Sequence, residues 1–287
     1  MKKSIITDQV DMDFEKALKI IKKYNYKNVE IHSLWNKTIE NITIEEAYNI
    51  KKLLGFYDLN LICLSTTLFL MCPLYENYNI SDFGNKFLTF KGNIKEHFQK
   101  MEYVIKIANI LNTDKIRIFP FRAPNDKEII GDDEDFSNIK KYFKQLSEKY
   151  KHENITFILE NCPHSYLPNS YMTGKLLNDL NVDNIKLLWD PGNSFRANYD
   201  RIPKKYIKNN LFNEIENNIK NIYHIHLKDY KKNQNEFEHE IFLEGDIDYN
   251  NIINKLKEYN YDYSLSLESE VNFEKTIKSM NNLNKII

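Results

Sequence analysis

The chain of 287 residues has little of what commits a protein to an oxidising compartment, a membrane or a nucleic-acid partner. It carries three cysteines, Cys63, Cys72 and Cys162, an odd number without paired spacing. That excludes a disulfide framework and suits buried thiols in a reducing cytoplasm. Charge of one sign is not in excess, with 40 Lys+Arg against 41 Asp+Glu. The basic surplus of a protein that neutralises nucleic-acid phosphates is therefore missing. No apolar stretch approaches the roughly 20 residues that cross a bilayer. The start, Met1 to Asp8, has charge but no apolar signal core. The expectation is a cytoplasmic protein with no membrane and no nucleic-acid partner. A Gly-rich turn after the first strand, the mark of a nucleotide-binding open sheet, is absent too. No linker, low-complexity segment or short repeat divides the sequence, so residues 1–287 read as one domain.

What is present is alternation. Apolar or β-branched runs at 4–7, 28–32, 60–66, 115–120, 155–160, 185–190, 222–227 and 263–268 predict strands. Between them lie residues at helical spacing: Phe14, Leu18 and Ile21; Ala47, Ile50, Leu53 and Leu54; Phe98 to Leu111; Ile252 to Tyr259; and Phe273, Ile277 and Met280. Strand–helix alternation repeated about eight times predicts an α/β fold, a (β/α)8 TIM barrel. The connections after Thr66, Phe121, Asn193 and Asp229 are long and polar, and in such a barrel the loops at strand C-termini build the active site. The stretch Thr67–Asn93, with Phe69, Met71, Tyr75, Tyr78 and Phe83, reads as a lid over a small substrate or as a loop packed on its own aromatics.

Four of the apolar runs end in a residue able to bind a metal: Glu160, Asp190, His226 and Glu268. A strand core does not need a carboxylate or imidazole at its last residue, whereas parallel strands converging on one ion do. Three carboxylates buried together call for a cation. Three hard oxygens and one nitrogen suit one divalent metal ion, Mn2+ or Mg2+ first, with Co2+ or Zn2+ as alternatives.

The motifs resemble a known family. Val29-Glu30-Ile31-His32, Ile116-Arg117-Ile118-Phe119, Leu159-Glu160-Asn161, Asp190-Pro191-Gly192-Asn193, His224-Ile225-His226-Leu227-Lys228-Asp229, Glu244-Gly245-Asp246-Ile247-Asp248 and Ser266-Leu267-Glu268 occur in that order. Together they resemble the sugar-phosphate isomerase/epimerase group of xylose isomerase-like TIM barrels. The resemblance implies that Glu160, Asp190, His226 and Glu268 hold the metal. It implies also that Glu160 and Glu268 are the acid/base groups on opposite sides of a small carbohydrate. The chemistry would be α-proton transfer through a metal-stabilised cis-enediolate, giving epimerisation, aldose–ketose isomerisation or, if a β-hydroxyl leaves, an inosose-type dehydration. His32, Arg117, Asn193 and Lys228 are the candidate substrate contacts. Structural readings stand beside them: a satisfied histidine for His32 and an ion pair with Glu30 for Arg117. Trp189 and Phe119 read as core.

The chain departs from the group at Asn193 and Cys162, where relatives often carry histidine. The endonuclease IV type of DNA-repair nuclease shares the barrel but needs three zinc ions and more histidines than the seven here. A non-catalytic sugar-binding barrel is expected to have lost a ligand, and all four are present. Relatives commonly form dimers or tetramers, so a homo-oligomer is an open expectation that no residue pattern addresses.

Overall fold

The structure, a computed structural model, describes residues 1–76, 78, 80–84, 87–207, 210–234 and 236–287. Eight parallel strands form one sheet: β1 (Lys2–Ile5), β2 (Asn28–Ile31), β3 (Asn60–Leu64), β4 (Lys115–Ile118), β5 (Thr156–Glu160), β6 (Ile185–Trp189), β7 (Ile222–Leu227) and β8 (Ser264–Leu267). Their order is β1-β8-β7-β6-β5-β4-β3-β2, and a parallel bridge between Ile6 and Glu30 joins the two outer strands. The result is the expected barrel. The expected strands overlap all eight, with ends differing by one or two residues.

Helices α1 (Phe14–Lys23), α2 (Ile44–Phe56), α3 (Ile94–Leu111), α4 (Asp133–Lys149), α5 (Ser170–Leu180), α6 (Pro191–Phe195), α7 (Leu211–Asn218), α8 (Tyr249–Glu258) and α9 (Phe273–Ile286) lie between and after the strands. Most begin on a side chain that accepts the orphan N–H groups of the first turn. Thr43 with Glu46 and Asn93 with Glu96 form reciprocal capping boxes at α2 and α3. The apolar faces of these helices pack against the outer faces of the strands, where Phe14, Leu18, Ile21, Met101, Val104 and Ile139 join Ile5, Val29 and Leu187 in one buried core. Inside the barrel, Ile158 and Leu188 make a small apolar layer with Cys63. Among the described residues no helix is long and apolar enough to cross a membrane.

The mouth of the barrel is shaped by two aromatic residues in the left-handed backbone region, Phe69 (φ 67) and Phe121 (φ 60). An L-residue there costs about 1–2 kcal/mol, so the surroundings must hold it. Phe69 donates its N–H to His97 Nδ1 at 3.0 Å, stacks on that ring and packs on Phe98, Phe121 and Phe143. Phe69 and Met71 are therefore core, which corrects the lid reading for this half of the segment. Tyr75 and Tyr78 pack on each other, while Phe83 turns toward the barrel mouth. Residues 77, 79, 85 and 86 of the same stretch lie outside the described residues.

His97 is buried with Nε2 unpartnered, and burial pushes its pKa down from 6.5 to about 4. As pH falls, the unfolded chain takes this proton first. The stabilisation is complete above about pH 6.5 and is lost as pH falls toward 4, by roughly 2–3 kcal/mol from this group. Urea unfolding between pH 7 and 4 should show a steeper loss in the wild type than in His97→Gln; equal slopes would exclude the histidine as the source.

Candidate metal centre

Glu160, Asp190, His226 and Glu268 offer one ligand atom each, all within 4.8 Å of one another, and all four side chains are buried. They come from the C-terminal ends of β5, β6, β7 and β8. Glu160 is the last residue of its strand, whereas Asp190 and Glu268 each stand one residue beyond. Glu268 still extends the ladder, donating its N–H to Leu227 O at 3.0 Å.

Local sequence fixes each position. Asp190 caps α6, accepting the Asn193 N–H at 2.8 Å through Oδ1, with Pro191 pre-set at the first helical position. Gly192 lets this turn lie against β7, since a Cβ there would sit 2.7 Å from Lys228 Cγ and 2.9 Å from Lys228 O. Asn161 clamps the Asp190 backbone from β5, donating to its carbonyl and accepting its N–H, both at 2.9 Å. His226 Nε2 meets Glu30 Oε1 at 3.1 Å, and Glu30 Oε2 lies 2.8 Å from His224 Nε2. That leaves His226 Nδ1 facing Glu268 at 3.3 Å and Glu160 at 3.9 Å.

The protein supplies two cations to this cluster. Arg117 Nη1 donates to Glu160 at 3.0 Å and to Glu268 at 3.3 Å, while Nε and Nη2 donate to the carbonyls of Thr66 and Ser65. Lys228 Nζ lies 2.7 Å from Glu268 and 2.9 Å from Asp190. The carboxylates are consequently unlike. Burial dominates at Glu160 and, against Arg117, pushes its pKa up to about 7. Burial raises Glu268 as well, but Lys228, His226 and Arg117 outweigh it and hold this carboxyl well below the usual range. Asp190 is raised by burial against the pull of Lys228.

The arrangement fits a divalent cation. Asp190 Oδ2 and His226 Nδ1 are buried and make no well-formed hydrogen bond among the described residues: Oδ2 faces the Lys228 ammonium at 2.9 Å, and Nδ1 faces Glu268 and Glu160 at 3.3 and 3.9 Å. Buried polar atoms are almost always hydrogen-bonded, so two that are held by charge alone and face the other ligands leave a place for a cation. Three carboxylate oxygens and an imidazole nitrogen are the donors that hard or borderline ions accept.

A sequence model described as xylose isomerase-like TIM barrel matches residues 18–286. The chain belongs to that family. No curated protein matches the sequence. Solved structures of similar fold include the probable 3-DHS dehydratase AsbF of Bacillus anthracis, with TM-score 0.70 and 17% identity over 99% of each chain. The IOLI protein with a bound zinc atom has TM-score 0.70 and 14% identity, covering 100% of this chain and 98% of that one. The 3-keto-D-glucoside 4-epimerase YcjR of E. coli has TM-score 0.67 and 13% identity, over 100% and 99%. At such identities the likeness is one of fold.

Within the family frame, the other expected residues take these places. Asn193 Nδ2 donates to Glu160 Oε1 at 2.9 Å, so it orients a carboxylate. Arg117 is committed to Glu160, Glu268 and two carbonyls, in place of the Glu30 ion pair weighed for it. His32 Nδ1 meets Asp8 Oδ2 at 2.9 Å, and its buried Nε2 has no partner. Its ring stacks on Phe87 at 5.2 Å, beside a cavity of about 410 Å³ that also touches Glu268. Trp189 is core, its indole N–H donating to Glu214. Phe119 is buried too, but it lines the ligand cavity with the Arg117 guanidinium 4.9 Å from its ring centre. The Glu244–Asp248 motif is a brace: Asp229 accepts N–H groups from Tyr230, Leu243, Gly245 and Ile247.

Sequence reasoning missed Glu30 as the residue that turns His226, and missed Phe87, His164, Arg196 and Glu270 on the cavity wall. A carboxylate in the middle of β2 was the available signal for Glu30. The wall residues sit on loops and carried none. Arg117→Met should strand Glu160 and Glu268 beside each other and destabilise the EDTA-treated chain by about 3–5 kcal/mol. Urea unfolding measures this, and a loss below about 1 kcal/mol would show that Lys228 alone suffices.

Proposed function

We propose that residues 1–287 form one barrel domain that is a divalent-metal-dependent isomerase or epimerase of a small sugar, sugar phosphate or related polyol ketone. The observation that carries this reading is the buried set of Glu160, Asp190, His226 and Glu268 within 4.8 Å of one another. These four residues would hold one ion, Mn2+ or Mg2+ in the first instance, with Co2+ or Zn2+ as alternatives. The zinc of the IOLI neighbour supports a metal here without choosing it. When bound, the cation supplies Lewis acidity toward adjacent carbonyl and hydroxyl oxygens, which lowers the cost of removing the proton α to the carbonyl.

The chain's own residues do the rest. Glu160 and Glu268 stand at different strand ends, so one can take the α-proton and the other return it from the opposite face or to the neighbouring carbon. Such general acid–base steps contribute about 10²- to 10⁴-fold. Asn193 holds Glu160 in place, and Lys228 with Arg117 holds Glu268. Phe83, Phe87, Phe119 and Leu70 wall a cavity of about 140 Å³ and limit water. A cavity of that size supports a small molecule in preference to a nucleic-acid strand. His32, with its free Nε2, is placed to receive a substrate hydroxyl.

The epimerase neighbour supports proton return, and the dehydratase neighbour supports keeping loss of a β-hydroxyl as the second outcome of the same carbanion. The Mn2+-loaded chain should bind about one ion per chain by elemental analysis and exchange the α-proton of a small ketose with D2O, followed by NMR. Glu160→Gln and Glu268→Gln should each lower exchange by at least about 10²-fold with unchanged circular dichroism. Near wild-type exchange in either variant contradicts its role. Enone absorbance in place of exchange would assign dehydration. Three zinc ions per chain with cleavage of abasic DNA would assign a nuclease.

A further inference from the structure

The cavity beside the ligands has a wall that the proposed chemistry does not use. Arg196, which ends α6, and His164 both line it. Arg196 donates from Nη2 to Asn193 Oδ1 at 3.3 Å, yet its Nε is buried without a partner, and among the described residues it makes no ion pair. Arg122 lies behind this wall, over the Phe83 ring at 4.2 Å, and is only 4% exposed. It donates to the carbonyls of His164 and Ser81 and to Ser81 Oγ, its Nε is likewise orphaned, and it too has no carboxylate within ion-pair distance among the described residues.

His164 reports how cationic the space is. Burial lowers its pKa, and Arg196, Arg122 and Lys228 lower it further, to about 3, so the ring stays neutral. The carboxylates nearby are already engaged. Glu270 meets Lys228 at 3.5 Å and His239 at 3.3 Å and acts on Arg196 only from beyond ion-pair distance. Asp190 and Glu268 hold Lys228. Buried charges are ordinarily paired, because an unpaired one costs several kcal/mol of lost hydration. Two guanidinium groups with no carboxylate at ion-pair distance among the described residues, next to a reactive cavity, form a receptor for an anion. Arg suits this task, since its planar fork matches a carboxylate or phosphate.

We propose that this wall is an anion subsite, in which Arg196 is the receiving group and the substrate is an oxo-polyol bearing a carboxylate or a phosphate. The proposal rests on the isomerase reading of the site for its reaction, and on Arg196, Arg122 and His164 for its ligand. The anion docks on Arg196 Nε, and the carbonyl and its α-carbon, elsewhere on the same molecule, are carried toward Glu160 and Glu268. Neutral sugars lack the group that this wall is built to hold.

Calorimetric titration of the full-length chain, Mn2+-loaded and EDTA-treated in parallel, with inorganic phosphate and separately with acetate tests it. In both forms Arg196→Met should weaken the better-bound anion at least tenfold, with Arg196→Lys intermediate and both variants melting near the wild type. Tighter phosphate points to a phosphorylated substrate and tighter acetate to a carboxylate. Wild type and Arg196→Met binding alike, or neither anion binding, overturns the proposal. The two readings fail separately. Arg196-dependent anion binding without any ketose exchange leaves the subsite standing and the isomerase reading wrong. Exchange of neutral ketoses in a chain that binds neither anion does the reverse.

Discussion

Like charges in a dry space repel, and the barrel mouth places three carboxylates within 4.8 Å of one another and of an imidazole. Everything around them answers that repulsion. Arg117 reaches two of the three and Lys228 reaches two, sharing Glu268. The cation that three buried carboxylates call for is supplied in part by the protein itself, through these two side chains. Arg117 also secures a thin seam of the barrel. Between β3 and β4 the register includes one residue pair, Leu64 with Ile116. Across that seam Arg117 donates to the Ser65 and Thr66 carbonyls, and Thr66 Oγ1 returns a bond to Arg117 O at 2.6 Å. Compensation of two carboxylates and the β3–β4 seam thus share one residue.

The junction of β1 and β2 shows the same economy. Glu30 bridges to Ile6 where β1 and β2 meet, accepts a short bond from Ser65 Oγ, and lies against both His224 and His226. Burial alone would raise its pKa, but the two imidazoles outweigh this and hold it well below the usual range, so it stays an acceptor. An acceptor facing His226 Nε2 calls for a proton on that nitrogen, so Nδ1 is the nitrogen turned toward Glu160 and Glu268 and is the one an ion would take. The group that fixes the imidazole tautomer is therefore part of the barrel wall, and a shift in β1 against β2 would be felt at the ligand cluster.

The sequence made the strands and the four ligands legible because both are local signals. A β-branched run shows its length, and the last residue of the run shows its chemistry. Asp190-Pro191-Gly192-Asn193 carried only the family resemblance, and the structure shows it to be a strand-to-helix turn with the capping residue and proline side by side. What stayed hidden depends on chain segments meeting far apart. Nothing near Arg117 says that its partners are 43 and 151 residues away. Phe69 reads as a lid aromatic because it follows a strand, and only the His97 ring, 28 residues on, makes it core. The Glu244–Asp248 motif carried only the family resemblance, and the structure shows the N–H groups of Gly245 and Ile247 serving Asp229. Arg196 was invisible because an unpaired arginine is defined by what does not surround it.

The two cations of the cluster differ in kind, and the difference orders the site. Arg117 has a planar fork with its donors committed to two carboxylates and two carbonyls, so it is a fixed charge. Lys228 is a point charge on a flexible stem, and its ammonium has three carboxylates within 3.5 Å: Asp190, Glu268 and Glu270. Gly192 leaves room for that stem where any side chain would collide with it. A small shift of the ammonium toward Glu270 would strip compensation from Asp190 and Glu268, and a shift back would restore it. The negative field at Asp190 Oδ2, where the ammonium lies at 2.9 Å, therefore depends on the place of one lysine, while Arg117 holds Glu160 and Glu268 together. On the proposed reading, an arriving cation takes over from Lys228 the compensation of Asp190, and the fixed charge of Arg117 keeps the mouth of the barrel in shape.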